Sequence, residues 1–353
     1  MSGFTDKQPQ LLARALEGLR VNPSELEFGQ AVERYLRRID NSKRAFPYTR
    51  FTPLLGMLTR EGRYTDASLA LAASKANLEE FTQFVEAVLT TSHLRAFFFG
   101  NYDEADVRAA YIQLEEYVTP SRSAGYARAG IYNPEPGATL MLNREVPVED
   151  LGMLYGFAAP EASIKNQALA RILSRHLRVR AFETLRTEEQ LGYAAGGGSL
   201  DLYQHPMVIL YIQTPVKGPQ DMLDRFNAYT QEYREELAAL TEESFAKFKA
   251  GVLTALTEPP KNLSAEAGPF ASDWSIENYD FDTRDKLIEA VESATLADVQ
   301  AFYDATVFSE TRSRIVIQLK GQRYADQAFG SLDGGVVIED VDQFHKDMPK
   351  QAF

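Results

Sequence analysis

Within the run Phe182-Glu-Thr-Leu-Arg-Thr-Glu-Glu-Gln-Leu-Gly-Tyr193, an arginine (Arg186) and a tyrosine (Tyr193) flank the junction between a helical pattern and a strand-like one. A fixed cation and a phenolic donor at such a corner can hold a peptide carbonyl and stabilise charge that develops on it. Leu169, Ile172, Leu173, His176, Phe182 and Leu185 keep roughly helical spacing, which turns Phe182 inward or into a cleft. Arg186 then falls in the last turn, where a cation also simply complements the helix C-terminus. On the residues alone, that structural reading is the stronger of the two. Gly192 eases the reversal into the strand, and Glu188, Glu189 and Gln190 are placed to cap or pair locally.

Other chemistries have less to stand on. The chain has four histidines, His93, His176, His205 and His345. None stands in His-Glu-x-x-His or in the inverted His-x-x-Glu-His, the helical spacings that aim two imidazoles and a general base at one zinc. His176 falls on the apolar face of its helix and reads as a core histidine. No zinc site is expected in this chain. Gly197-Gly-Ser-Leu-Asp201 lacks the final glycine of a nucleophile elbow. Gly196-Gly-Gly198 is not followed by the Gly-Lys-Ser/Thr of a phosphate loop. The triple glycine reads as a mobile hairpin loop or bulge, or else as backbone open to an extended peptide.

Composition narrows the function classes. The 353 residues suffice for one large domain or two ordinary ones, with ordinary globular apolar and charged fractions of 44% and 25%. A net charge of −13 opposes binding to nucleic-acid phosphates, which needs concentrated Lys and Arg. There are no cysteines, so disulfides, thiolate zinc sites and thiol nucleophiles are excluded and the compartment is not readable from them. No apolar run reaches the roughly 20 residues that a membrane-spanning helix needs, so no membrane partner is expected.

The elements repeat weakly along the chain. Ser24-Glu-Leu-Glu-Phe28 and Thr241-Glu-Glu-Ser-Phe245 both read as helix caps followed by helices. Asn77-Leu-Glu-Glu-Phe81 and Thr295-Leu-Ala-Asp-Val299 open later helices, followed by strand-like His93–Phe99 and Arg314–Leu319. Order and spacing agree, which points to a duplication. The second copy has a strand-rich front, with strands expected at Ala127–Tyr132, Ala138–Asn143, Met153–Ala158, Gly192–Ala195 and Met207–Thr214 and a helix over Glu161–Thr187. The first copy begins directly at its helices. The chain is therefore expected to start within a domain, and residues 1–118 to expose apolar surface for want of a sheet. Residues 119–320 are expected to form a complete domain, and 321–353 a tail, within which Val336–Val341 adds an extended segment.

The run ending at Tyr193 resembles the signature in the fourth domain of insulinase/pitrilysin zinc metallopeptidases. Asp6-Lys-Gln-Pro, Phe99-Gly-Asn101, Pro259-Pro-Lys-Asn-Leu-Ser264 and Tyr279-Asp-Phe-Asp282 fall in the order that family shows, so the resemblance covers nearly the whole chain, from the middle of the third domain through the fourth. It implies an α+β fold, with helices on one face of a mainly antiparallel sheet in each domain. It also implies that zinc and the glutamate that activates water belong to an N-terminal half, so that no cofactor is expected in this chain. By the same resemblance Arg186 and Tyr193 contact the substrate carbonyl and the oxyanion, and Phe182 lines the pocket beside the scissile bond. After Tyr193 this chain departs from the family, since Ala194-Ala-Gly-Gly-Gly replaces a bulkier strand. The expectation is the non-catalytic C-terminal half of a peptide-hydrolysing enzyme, inactive alone, whose partners are a zinc-bearing N-terminal half and peptide substrates. The alternative is an inactive peptide-binding or scaffold module of a two-chain protease.

Overall fold

Polar residues placed just ahead of apolar runs fix where the helices begin. Asn77, Asp103, Ser163, Thr241, Asn262 and Thr295 each accept a hydrogen bond from the backbone N–H three residues on. Ser24 and Glu27 exchange backbone–side-chain bonds in the same way. The computed structural model describes residues 3–20, 22–119, 128–132 and 134–348. In chain order its elements are α1 (Gln8–Glu17), α2 (Glu25–Ser42), α3 (Pro47–Thr59), α4 (Asp66–Lys75), α5 (Leu78–Thr91), α6 (Glu104–Glu115), β1 (Thr139–Glu145), β2 (Leu151–Ala158) and α7 (Ile164–Ala181), then a π-helical turn (Phe182–Glu188). They continue with β3 (Ala194–Leu202), β4 (His205–Thr214), α8 (Pro219–Ala238), α9 (Glu242–Thr257), α10 (Leu263–Ser275), α11 (Thr283–Ser293), α12 (Leu296–Tyr303), β5 (Ser313–Lys320), β6 (Gly335–Val337) and α13 (Val341–Asp347). The fold is α+β, as expected.

The chain divides into two units, one drawn from 1–40, 66–128 and 260–281, the other from 41–65, 129–259 and 282–353. The second unit is built on a single sheet in the order β3-β4-β2-β5-β1-β6. From β3 through β4 and β2 to β5 each pairing is antiparallel, and β1 pairs parallel with β5 and β6. Every residue of β2 is buried, because both faces of the sheet are covered. Met153, Tyr155 and Phe157 meet Leu169 and Leu173 of α7, Phe226 of α8 and Phe302 of α12. Leu154 points the other way, with Leu140, Ile315 and Ile317, onto Phe51, Leu55 and Leu58 of α3. Gly152 permits that second layer, since a Cβ there would stand 2.3 Å from the Cβ of Pro47.

Several local expectations change. Gly196–Gly198 is not a hairpin loop; it lies inside β3, paired with Leu210 and its neighbours on β4. A Cβ on Gly197 would sit 2.9 Å from Leu177 Cγ and 3.2 Å from Ala181 Cβ, so the glycines let α7 settle directly onto the strand. β3 is an edge strand, yet its glycines are buried and the Ser199 N–H donates to Ser174 Oγ of α7 at 3.0 Å. This helix shields the edge from pairing.

His93–Phe99 forms no strand, because among the described residues of the first unit no strand is present for it to pair with. Its rings stack instead, Phe99 on Phe270 at 5.3 Å and Phe97 by Trp274 at 5.9 Å. Near Ala127–Tyr132 only Ile131 forms a bridge, to Arg60, and the neighbouring backbone groups bond to Thr59 and Glu61. Ala127 and Asn133 lie outside the described residues. The α4, α5 and α6 helices bury none of their side chains fully, and Phe84 and Ile112 stay mostly exposed. The Val336–Val341 segment supplies β6 and buries Ile338 and Val341.

Candidate functional site

The corner at Arg186 and Tyr193 is set by the way α7 ends. Its apolar stripe of Leu169, Ile172, Leu173 and Leu177 holds the helix on the sheet up to Ala181, which is fully buried. The chain then widens into the π-helical turn, in which the Glu189 N–H reaches back to Thr184 O at 3.0 Å and the Leu191 N–H to Leu185 O at 3.0 Å. Single π-helical turns of this kind gather at functional sites. Gln190 takes a left-handed backbone angle, φ 53°, to leave the turn. Leu191 is buried beneath it, its carbonyl accepting from Thr214 Oγ1. Gly192 passes so close to β4 that a Cβ would stand 2.0 Å from Gln213 O. The next residue, Tyr193, is then carried out into solvent, 85% exposed.

Phe182, Arg186 and Tyr193 come together. The Arg186 guanidinium lies 4.7 Å from the Phe182 ring centroid and 5.3 Å from that of Tyr193. Its Nε donates to Tyr193 O at 3.1 Å. Two aromatic faces and a carbonyl thus fix a cation whose Nη groups point away from the bond already made. Phe182 is 42% exposed, so it does not turn inward into the core; it lies at the surface against Arg186. Such an arrangement offers a planar, permanently charged donor pair beside an exposed phenol.

The turn is tied at both ends to one face of α8. Arg180, just before it, makes a two-pronged pair with Glu236 at 2.9 and 2.8 Å and also bonds Glu183. Glu189, just after it, is gripped by Arg225 through Nε at 2.8 Å and through Nη2, while Arg225 also holds Glu232. Hydrogen bonding to these carboxylates pushes the Arg180 and Arg225 guanidiniums further into their charged form, and Arg180 holds Glu236 below the usual carboxylate range. Tyr229 lies between the two pairs with its hydroxyl buried and unpartnered, and burial raises its pKa. The sequence reading left Arg225 and Glu236 out. Their signal is the spacing of Arg225, Tyr229, Glu232 and Glu236, which puts all four on one helical stripe.

The histidines are spent elsewhere. His176 is buried, its Nδ1 3.0 Å from the Tyr233 hydroxyl, and burial lowers its pKa. It is a core histidine. His205 Nε2 contacts Ala159 O, and His345 stacks on Tyr132 at 4.5 Å. Among the described residues no group of three or more His, Cys, Asp or Glu side chains stands close enough to hold a metal. No helix is long and apolar enough to cross a membrane. A cavity of about 510 Å³ lies between Ala159, Tyr203, His205 and Arg312. It opens at the end of β2 near Ala158, whereas Tyr193 leads into β3 beside Gln213, at the other end of the sheet.

With this geometry in hand, comparison with known proteins is direct. Residues 172–271 match the family model "PQQ synthase PqqF-like, C-terminal lobe domain 4". "Protease 3" of Salmonella typhi is 21% identical over 350 residues, which are 99% of this chain and 36% of that protein. The "putative zinc protease mug138" of Schizosaccharomyces pombe is 24% identical over 370 residues, 100% of this chain and 37% of that protein. The chain therefore spans little more than a third of the length of these relatives. Among solved structures, pitrilysin superposes with a TM-score of 0.91 at 21% identity, over 99% of this chain and 38% of that one. The chain is homologous to the C-terminal half of insulinase/pitrilysin-family proteins.

Proposed function

We propose that this chain is the non-catalytic C-terminal half of a zinc metalloendopeptidase, supplying substrate binding and oxyanion stabilisation to a reaction whose metal is held by an N-terminal half. In this reading residues 119–320 are a complete fourth domain of the family, 1–118 the helical part of a third, and 321–353 a tail. The observation that carries it is the Arg186 guanidinium, fixed between Phe182 and Tyr193 beside an exposed phenol. A peptide carbonyl set against that corner receives hydrogen bonds from Arg186 Nη and Tyr193 OH, and both bonds strengthen as negative charge grows on its oxygen. One such donor is worth about 2.7–4 kcal/mol in comparable acyl chemistry. Phe182 borders the same spot with apolar surface. Among the described residues no group of three or more potential ligands stands close enough to hold a zinc ion, and the buried His176 is engaged by Tyr233.

The test is a fluorogenic peptide assay with the chain alone, then with a zinc-bearing N-terminal half, each with and without chelator. The expected result is turnover only in the combined sample, abolished by chelator. Turnover by this chain alone overturns the reading. Peptide binding that no partner half converts into turnover favours a binding module instead.

A further inference from the structure

We infer that α8 is a splint for the reactive corner, and that Arg225 and Glu236 are positioning residues for Arg186 and Tyr193. The inference deepens the proposed function and rests on it. Its basis is the placement of two ion pairs around one irregular segment. The π-helical turn carries Phe182 and Arg186, and it is the part of the α7-to-β3 connection whose backbone bonding departs from the ordinary helical ladder. Arg180–Glu236 closes its start and Glu189–Arg225 closes its end. Both pairs are two-pronged, so each fixes an orientation as well as a distance. Both anchors on α8 share one helical stripe, and that helix is itself rooted in the core by Met222, Leu223, Phe226 and Tyr233.

Burial distinguishes the two clamps. The Arg225 side chain is only 14% exposed, against 34% for Arg180 and for Glu236. A nearly buried pair left with one partner is costly, so Glu189 has a strong reason to stay where Arg225 puts it. Glu189 is four residues before Tyr193 and three after Arg186, with only Gln190, the buried Leu191 and the constrained Gly192 between it and the tyrosine. Moving Glu189 therefore moves both donors. Arg225 bonds Glu189 and Glu232, and Glu236 bonds Arg180, so their influence on a substrate passes through the turn.

The experiment compares Arg225→Gln and Glu236→Gln, one for each clamp, and the milder Glu189→Gln, with Arg186→Ala in the full chain. Amide hydrogen exchange of the chain alone reads the turn directly, because local opening sets its rate. Expected is exchange over 184–193 about tenfold faster in each clamp variant, with 164–178 of α7 unchanged. In the enzyme combined with its zinc-bearing half, kcat is expected to fall about tenfold with KM changed less than twofold. Unchanged exchange over 184–193 overturns the splint. So does faster exchange with normal kcat, provided that Arg186→Ala lowers kcat. If Arg186→Ala leaves kcat untouched, the role of the corner in the proposed function fails, and with it the positioning role built on that corner. A global loss of protection in Arg225→Gln shifts the decision to Glu189→Gln, which keeps the shape and removes one charge.

Discussion

Arg186 donates its Nε–H to the backbone carbonyl of Tyr193 at 3.1 Å, closing a loop that begins and ends on the two residues proposed to grip substrate. The bond uses the inner edge of the guanidinium and leaves the outer edge for a ligand. Lysine cannot do both, since its ammonium is a single point on a flexible stem and has no flat face to lie between two rings. Arg186→Lys is therefore expected to lower turnover of the combined enzyme about 10–100-fold, less than the roughly 10²–10³-fold for losing a donor outright because the charge is kept. The melting temperature of the chain should stay within about two degrees, because Arg186 supports no core residue. Turnover equal to wild type would remove Arg186 from the reaction.

The phenol of Tyr193 makes no hydrogen bond among the described residues and is 85% exposed. Removing it costs the fold nothing beyond about 0.5 kcal/mol. Tyr193→Phe keeps the ring over Arg186 and deletes only the donor. Turnover is expected to fall about 10²–10³-fold, the size associated with one oxyanion donor. The check is kcat of the combined enzyme beside urea unfolding of the chain alone.

The corner was legible in the sequence because its determinants are local. Helical spacing up to Phe182 and the glycine at 192 foretold a helix-to-strand reversal, and the reversal is there. Long-range partners were not legible. Arg225 and Glu236 join the corner only after the chain has passed through both β3 and β4 and folded α8 back over α7. The triple glycine misled for a related reason. Local propensity reads Gly196–Gly198 as a loop, but the close approach of Leu177 and Ala181, which only the fold reveals, makes glycine the residue a buried strand needs there. His93–Phe99 errs in the opposite direction. Its run of three phenylalanines favours a strand, and among the described residues of the first unit there is no edge to receive one.

Gly197 gives the clearest packing test. An added methyl group meets Leu177 Cγ at 2.9 Å, Leu210 Cδ2 at 3.0 Å and Ala181 Cβ at 3.2 Å, all of them buried. Leu177 Cγ and Ala181 Cβ stand close to the backbone of α7, so that helix must lift from β3. Gly197→Ala is expected to destabilise by about 1–3 kcal/mol, the usual cost of overpacking. A gain in stability from the alanine would mean that this strand is looser than the packing implies. Denaturant unfolding of the full chain measures it.

His176 gives the pH dependence. Burial lowers its pKa below the ordinary value near 6.5, partly offset by Glu236. The folded chain thus holds fewer protons on this ring than the unfolded chain does between the two pKa values, and stability rises with pH across that window. The contribution is present above about 6.5 and is lost as pH falls through the folded value. Asp298 acts in a separate range. Lys165 and Thr295 hold its pKa near about 2, so its contribution is present above the unfolded carboxylate value and is lost only in stronger acid. Between pH 7.5 and 5, then, His176 is expected to dominate the slope over Asp298. His176→Phe should flatten that slope while lowering stability at pH 7.5 by about 1–3 kcal/mol, because the Tyr233 hydroxyl loses its buried partner. Urea unfolding at pH 5, 6 and 7.5 tests both halves, and an unchanged slope in the variant would assign the titration to another group.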